Sequence, residues 1–116
     1  MHPVISKGKR HFQVLNNFTQ QSLFAGSNAT FYSNGKARLN CNASGHPLPT
    51  ITWLINDEVV NEEVKVMGVS VQNNSLLLKD VSRLGGAYTC VASNTFGSDN
   101  ATSFIQYFGK VKVIIK

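Results

Sequence analysis

Residues 41–53 read CNASGHPLPTITW, and the physical character of the chain changes twice within them. Cys41 belongs to an alternating run, KARLNCNA at 36–43. There Ala37, Leu39, Cys41 and Ala43 share one face, and Lys36, Arg38, Asn40 and Asn42 share the other. Side chains of a strand alternate between faces, so the run predicts a half-buried strand with Leu39 and Cys41 pointing inward. Pro47 and Pro49 then bar a helix, because each lacks an N–H and pushes the residue before it into extended backbone. GHPLP at 45–49 is therefore expected as an extended loop. TITWLI at 50–55 resumes as a strand of β-branched and aromatic residues.

The same pattern of short runs and turns continues on both sides. Upstream, Asn34–Gly35 is a tight-turn signal. Downstream, NDE at 56–58 is expected to turn the chain, and VMGVSVQ and SLLLKDV form a hairpin across Asn73–Asn74, since Asn tolerates positive φ. GAYTCVAS at 86–93 is a strand with Tyr88, Cys90 and Ala92 on one side. NTFG turns again, and SDNATSFIQYF at 98–108 is the last clear strand. Short strands separated by turns at about 8–12 residue intervals predict an all-β, two-sheet antiparallel sandwich. Such a sandwich gives an inward cysteine on one sheet a partner on the other.

The 116 residues suit one domain, and 42% hydrophobic against 15% charged residues mark a globular chain. No apolar run approaches the roughly 18 residues of a membrane helix, and the first ten residues contain no secretory-signal pattern. Two cysteines cannot make a four-ligand zinc site alone, and His2, His11 and His46 show no ligand spacing. The cysteines are either one disulfide or two free thiols. Asn-x-Ser/Thr occurs at Asn17, Asn28, Asn42, Asn73 and Asn100, against roughly two matches expected by chance from this composition. The excess favours an oxidising, secretory-pathway setting in which a Cys41–Cys90 bond persists.

CNASGHPLPTITW resembles strand B, the B–C loop and strand C of the immunoglobulin superfamily, and within it the I-set. It carries Cys41, then Gly45, Pro47 and Pro49, then Trp53. SLLLKDV resembles strand E, with Leu76, Leu78 and Val81 facing the core. GAYTCVASNTFG resembles strand F and its turn, including Asn94 and Gly97. The resemblance spans roughly 28–108. It implies a domain at 11–109, with 110–116 a strand G extension or linker to a following domain; residues 1–10, basic with Gly and Pro, read as a leader or linker. It also implies that Trp53 packs on the disulfide and that Tyr88 forms a tyrosine corner. One position departs from the pattern. SRLGGAYTC at 82–90 has Leu84 where the family carries an Asp that braces the corner, so a softer corner is expected there.

No catalytic pattern survives: there is no nucleophile elbow, phosphate-binding loop or buried carboxylate pair. Neither an enzyme, a cofactor nor a nucleic-acid partner is expected. The resemblance implies an extracellular protein-binding module of a cell-adhesion molecule, receptor ectodomain or secreted protein, with a homophilic or heterophilic ectodomain partner. The alternatives are an intracellular scaffold module of muscle or cytoskeletal type, and a heparan-sulfate-binding domain. The latter would use the basic residues Lys7, Lys9, Arg10, Lys110 and Lys112, which contribute to the net charge of +5. The resemblance implies that Asn42, Asn73 and Asn100 cluster at the end bearing the B–C, D–E and F–G loops, with Asn42 and Asn100 outward by parity and Asn17 near them.

Overall fold

A computed structural model describes residues 1–8, 10, 12–15, 21–32, 34–60 and 66–108. The strands among them are β1 (Val4–Ile5), β2 (Phe12–Leu15), β3 (Gln21–Phe24), β4 (Asn28–Phe31), β5 (Ala37–Asn40), β6 (Ala43–Ser44), β7 (Thr50–Ile55), β8 (Glu58–Val60), β9 (Val69–Gln72), β10 (Ser75–Leu78), β11 (Gly86–Asn94) and β12 (Gly97–Tyr107). No helix occurs among the described residues. One sheet runs β3-β5-β10-β9 and the other β2-β4-β12-β11-β7-β8, while β1 pairs with β6.

The expected turns have local causes. Asn56 and Asp57 hold φ of 49° and 70°, which closes the β7–β8 hairpin and sets Trp53 opposite Val60. Asn73, at φ 53°, begins the turn that sets Gln72 opposite Ser75. Asn and Asp adopt this region more readily than other side chains, which is why these positions can turn. Asn34–Gly35 does not form a hairpin. The Asn34 side chain accepts the N–H groups of Gly35 and Ser82 at 2.9 and 3.2 Å, in the link that carries the chain from one sheet to the other.

Most pairings are antiparallel, but β12–β4, β2–β4 and β3–β5 are parallel. These three bring together strands that no hairpin connects. At Ala25–Gly26 the chain reverses and changes sheet at once, closed by the Ser27 N–H donating to Phe24 O at 3.0 Å. Gly26 makes that step at φ +93°, where a side chain would be strained. Its N–H donates to Ser103 Oγ at 2.9 Å, which satisfies a buried hydroxyl in the core. Residues 1–10, expected as a leader or linker, contribute β1, and Pro3 and Ile5 are buried. The surrounding lysines and glycine hid a two-residue apolar strand whose partner, β6, comes from far along the chain.

Between the sheets, Leu39, Leu76, Leu78, Val81, Phe31 and Ile105 pack around the Cys41–Cys90 disulfide, whose Cα atoms are 6.4 Å apart. Trp53 and Tyr88 are each 1% exposed. The alternation read from 36–43 is observed: Ala37, Leu39 and Cys41 are buried, and Arg38 and Asn40 are half-buried. Residues 110–116, with Lys110 and Lys112, lie outside the described residues.

The corner before β11 is built differently from the softer one expected at Leu84. The Tyr88 hydroxyl donates to Leu84 O, and burial pushes the Tyr88 phenol up to about 12. The bracing acid is Asp80: it accepts the Ser82 hydroxyl and the Ser82 N–H, and Arg83 Nε lies 3.8 Å from it. The Ser82 hydroxyl is the main cause holding the Asp80 carboxyl below its usual range, against a smaller opposing effect of burial. Leu84 itself is half-buried against the core. Gly86 is required by its surroundings: φ is +154°, and an added Cβ would sit 3.0 Å from Asn56 Oδ1, which accepts the Ala87 N–H. Leu84→Asp should therefore lower thermal stability, by roughly 1–2 kcal/mol of lost apolar burial. A raised melting midpoint in a thermal scan would show that the corner lacks a carboxylate after all.

Candidate recognition surface

The outward face of the larger sheet follows from strand parity. With Tyr88, Cys90 and Ala92 inward, Ala87, Thr89, Val91 and Ser93 must face out. Register then fixes the rows. Ala87 lies beside Phe104. Thr89 lies between Thr102 and Leu54, with Val59 beyond. Val91 lies between Asn100 and Thr52, and Ser93 between Ser98 and Thr50. All are half-buried or exposed. None is ionisable. Thr89 and Thr102 share a hydrogen bond of 2.8 Å, which ties up the hydroxyls at the centre of the face. Four strands at their usual spacing, followed over these rows, present about 500 Å².

The outward face of the smaller sheet differs. It carries Arg38, whose guanidinium donates to Gln72 Oε1 at 3.1 Å, and Ser75, whose hydroxyl donates to Asn40 Oδ1 at 2.8 Å. These four side chains are thus engaged with one another. At the loop end, Leu48 and Phe96 are 83% and 62% exposed. Asn94 binds these loops together, its Nδ2 donating to Pro47 O and Met1 O at 3.0 and 2.9 Å and its Oδ1 accepting the Phe96 N–H at 2.8 Å.

The sequon residues fall into two kinds. Asn42, Asn73 and Asn100 are exposed. Asn42 follows Cys41, and Asn100 precedes Ala101, the partner of Cys90, so both stand one residue beyond the disulfide. Asn73 is in the adjoining turn, where Asn74 O accepts the Cys41 N–H at 3.1 Å. Asn28 is half-buried; its Nδ2 donates to Arg10 O and its Oδ1 accepts the Phe104 N–H at 2.9 Å. Asn17 lies outside the described residues, as does Lys9.

Among the basic residues, Lys7 pairs with Asp99 at 3.1 Å and Arg10 is exposed. Asp99 also accepts the Ile5 N–H at 2.9 Å, so it fastens the N-terminal segment to β12. Burial opposes the Asp99 charge, but the hydrogen bonds from Ile5, Lys7 and Asn100 outweigh it and hold the carboxyl below its usual range. Among the described residues no cluster of His, Cys, Asp and Glu could hold a metal ion.

Sequence reasoning singled out the inward residues and missed the outward set of Leu54, Val59, Thr89 and Val91. The signal was present in the same alternation. Every second residue of 87–93 faces away from the core, and none of them carries a charge.

A pair of sheets pinned by one disulfide, a tryptophan against it and a tyrosine corner define an immunoglobulin-like domain. The immunoglobulin I-set domain profile matches residues 11–106, and the chain belongs to that family. Bovine (Bos taurus) neural cell adhesion molecule 1 is 31% identical over 117 residues, covering 95% of this chain and 14% of that protein. Human (Homo sapiens) immunoglobulin superfamily member 10 is 35% identical over 91 residues, 75% of this chain and 4% of that protein. The chain thus spans a small part of the relatives it matches. The structure of neural ectodermal development factor IMP-L2 superposes with a TM-score of 0.63 at 23% identity, over 95% of this chain and 45% of that one. That likeness establishes the fold.

Proposed function

We propose that this chain is a non-enzymatic, extracellular recognition module that binds another protein through the outward face of β12, β11, β7 and β8. The observation that carries the reading is the charge-free face itself, on a chain of net charge +5. The fully buried centre of a protein interface is depleted of charge, because an unpaired charge loses its hydration there. A protein face of matching kind, apolar with hydroxyl and amide groups at its rim, is the partner chemistry that fits. Pairing would bury about 1,000 Å² in total, at the lower edge of specific interfaces. The relatives named for cell adhesion support a role in contact between cells or secreted proteins, and the disulfide and the sequons support the extracellular setting over an intracellular scaffold.

The test is an ectodomain binding screen with secreted protein, the chain itself included among the targets. Thr89→Lys and Val91→Glu insert opposite charges at the centre of the face, where half-exposed side chains leave the core untouched. Both should weaken capture of the partner at least tenfold, about 1.4 kcal/mol, with the melting midpoint nearly unchanged. Full binding by both variants would move the site elsewhere, to Leu48 and Phe96 at the loop end.

A further inference from the structure

On the side of β12 away from β11, β4 pairs only with Ile105, Gln106 and Tyr107. Among the described residues no strand pairs with 97–104 on that side; β1 is only tethered there, by the Ile5 N–H donating to Asp99 Oδ2 at 2.9 Å. A groove of about 610 Å³ runs there instead, lined by Lys7, Arg10, Asn28, Asn100, Thr102 and Phe104. Three of these share one face of one strand at successive even positions: Asn100, Thr102 and Phe104. Asn100 and Thr102 are the acceptor and hydroxyl positions of a sequon. Asn100 is exposed, and its backbone N–H donates to Asp99 Oδ1 at 2.9 Å, while its side chain takes no hydrogen bond among the described residues. Phe104 is 49% exposed at the other end, about 13 Å along the strand from Asn100. Asn28 braces the far wall by bridging Arg10 O and the Phe104 N–H.

We propose that Asn100 carries an N-linked oligosaccharide whose first sugars lie in this groove, over Thr102 and onto the Phe104 ring. Transfer from a lipid-pyrophosphate-linked oligosaccharide forms the bond between Asn100 Nδ2 and sugar C1. It breaks the C1–oxygen bond to the pyrophosphate, and releases the lipid pyrophosphate and one Nδ2 proton. The groove offers what a sugar takes: an aromatic ring for its apolar C–H face, and Arg10 and Asn28 for its hydroxyls. The seated carbohydrate covers the edge of β12, where side chains of Asp99 and Asn28 take up the Asn100 and Phe104 N–H groups but no strand pairs with 97–104, and so adds to the protection of that edge against pairing with another chain. Asn100, Thr102 and Phe104 are also the β12 positions of the binding face, so a sugar seated over them and a partner docked there exclude each other. The glycosylated chain would dock through Thr89, Val91, Leu54 and Val59 of β11, β7 and β8.

The experiment uses the whole chain secreted from glycosylating cells. Glycopeptide mass spectrometry should find Asn100 occupied; an unmodified Asn100 overturns the proposal. Hydrogen exchange of residues 97–104 is then compared before and after enzymatic removal of the oligosaccharide from the folded protein. Exchange should be at least about threefold slower with the oligosaccharide present, and Phe104→Ala should abolish that difference while Asn100 stays occupied. Proton NMR should show sugar-to-Phe104 ring contacts. An occupied Asn100 with unchanged exchange and no ring contacts would show that the carbohydrate extends into solvent, and the groove would not be its seat.

Discussion

Replacing Cys41 and Cys90 together with alanine should lower the unfolding free energy by about 4 kcal/mol, read as a fall in the urea midpoint with the native β-rich circular dichroism retained below it. The loop closed by the disulfide spans a sequence separation of 49, and a crosslink of that length removes much of the freedom of the unfolded chain. Both sulfurs lie in the fully buried centre, where the bond joins the two sheets. Alanine also leaves a cavity, which adds to the loss. The same sulfurs discriminate the cellular setting. Under denaturing, non-reducing conditions the secreted chain should titrate no free thiols; two would return it to the intracellular scaffold class. An unchanged urea midpoint in the double variant would mean that the sheets hold their spacing without the crosslink.

Trp53→Ala should cost about as much, ~4 kcal/mol, from the largest fully buried side chain in the core. The contribution is apolar rather than polar. The indole N–H is buried and has no hydrogen-bond partner among the described residues, so it offsets part of what the ring gains by leaving water. Trp53→Phe keeps most of the ring and drops the unpartnered donor, and should therefore cost less than half as much as alanine. Chemical denaturation of the two variants side by side checks this. A phenylalanine variant as damaged as the alanine one would show that the N–H, or the exact ring outline, matters more than buried area.

The centre of this domain was legible because its residues obey a two-residue period and its turns use asparagine, aspartate and glycine where backbone geometry requires them. Leu39 and Cys41, Tyr88 and Cys90, and Ala101 and Ile105 could each be placed on the inner face from alternation alone. The N-terminal quarter was less legible. Val4–Ile5 is too short to show a period, and its partner strand is distant in sequence, so only tertiary pairing reveals it. The corner at Leu84 misled for a related reason. The bracing carboxylate was sought at one position, while Asp80 supplies it from the preceding turn through Ser82. The groove beside β12 has no linear signature, since Arg10, Asn28 and Phe104 meet only when the chain folds back on itself. Of the candidate site, parity exposed the outward residues, but the absence of charge becomes meaningful only once register sets them side by side.

A small face without charges has a kinetic consequence. No charge on the face itself steers an approaching partner, so its rows contribute only the unassisted encounter rate of about 10⁵–10⁶ M⁻¹s⁻¹, and ionic strength acts on association through the chain's overall charge of +5. A contact of this area also separates readily. Under the proposed function, durable attachment would come from valency: many copies displayed on opposed surfaces, each rebinding before its neighbours let go. Thr89, Val91 and Leu54 would set which partner is recognised, and the number of copies would set how long it is held.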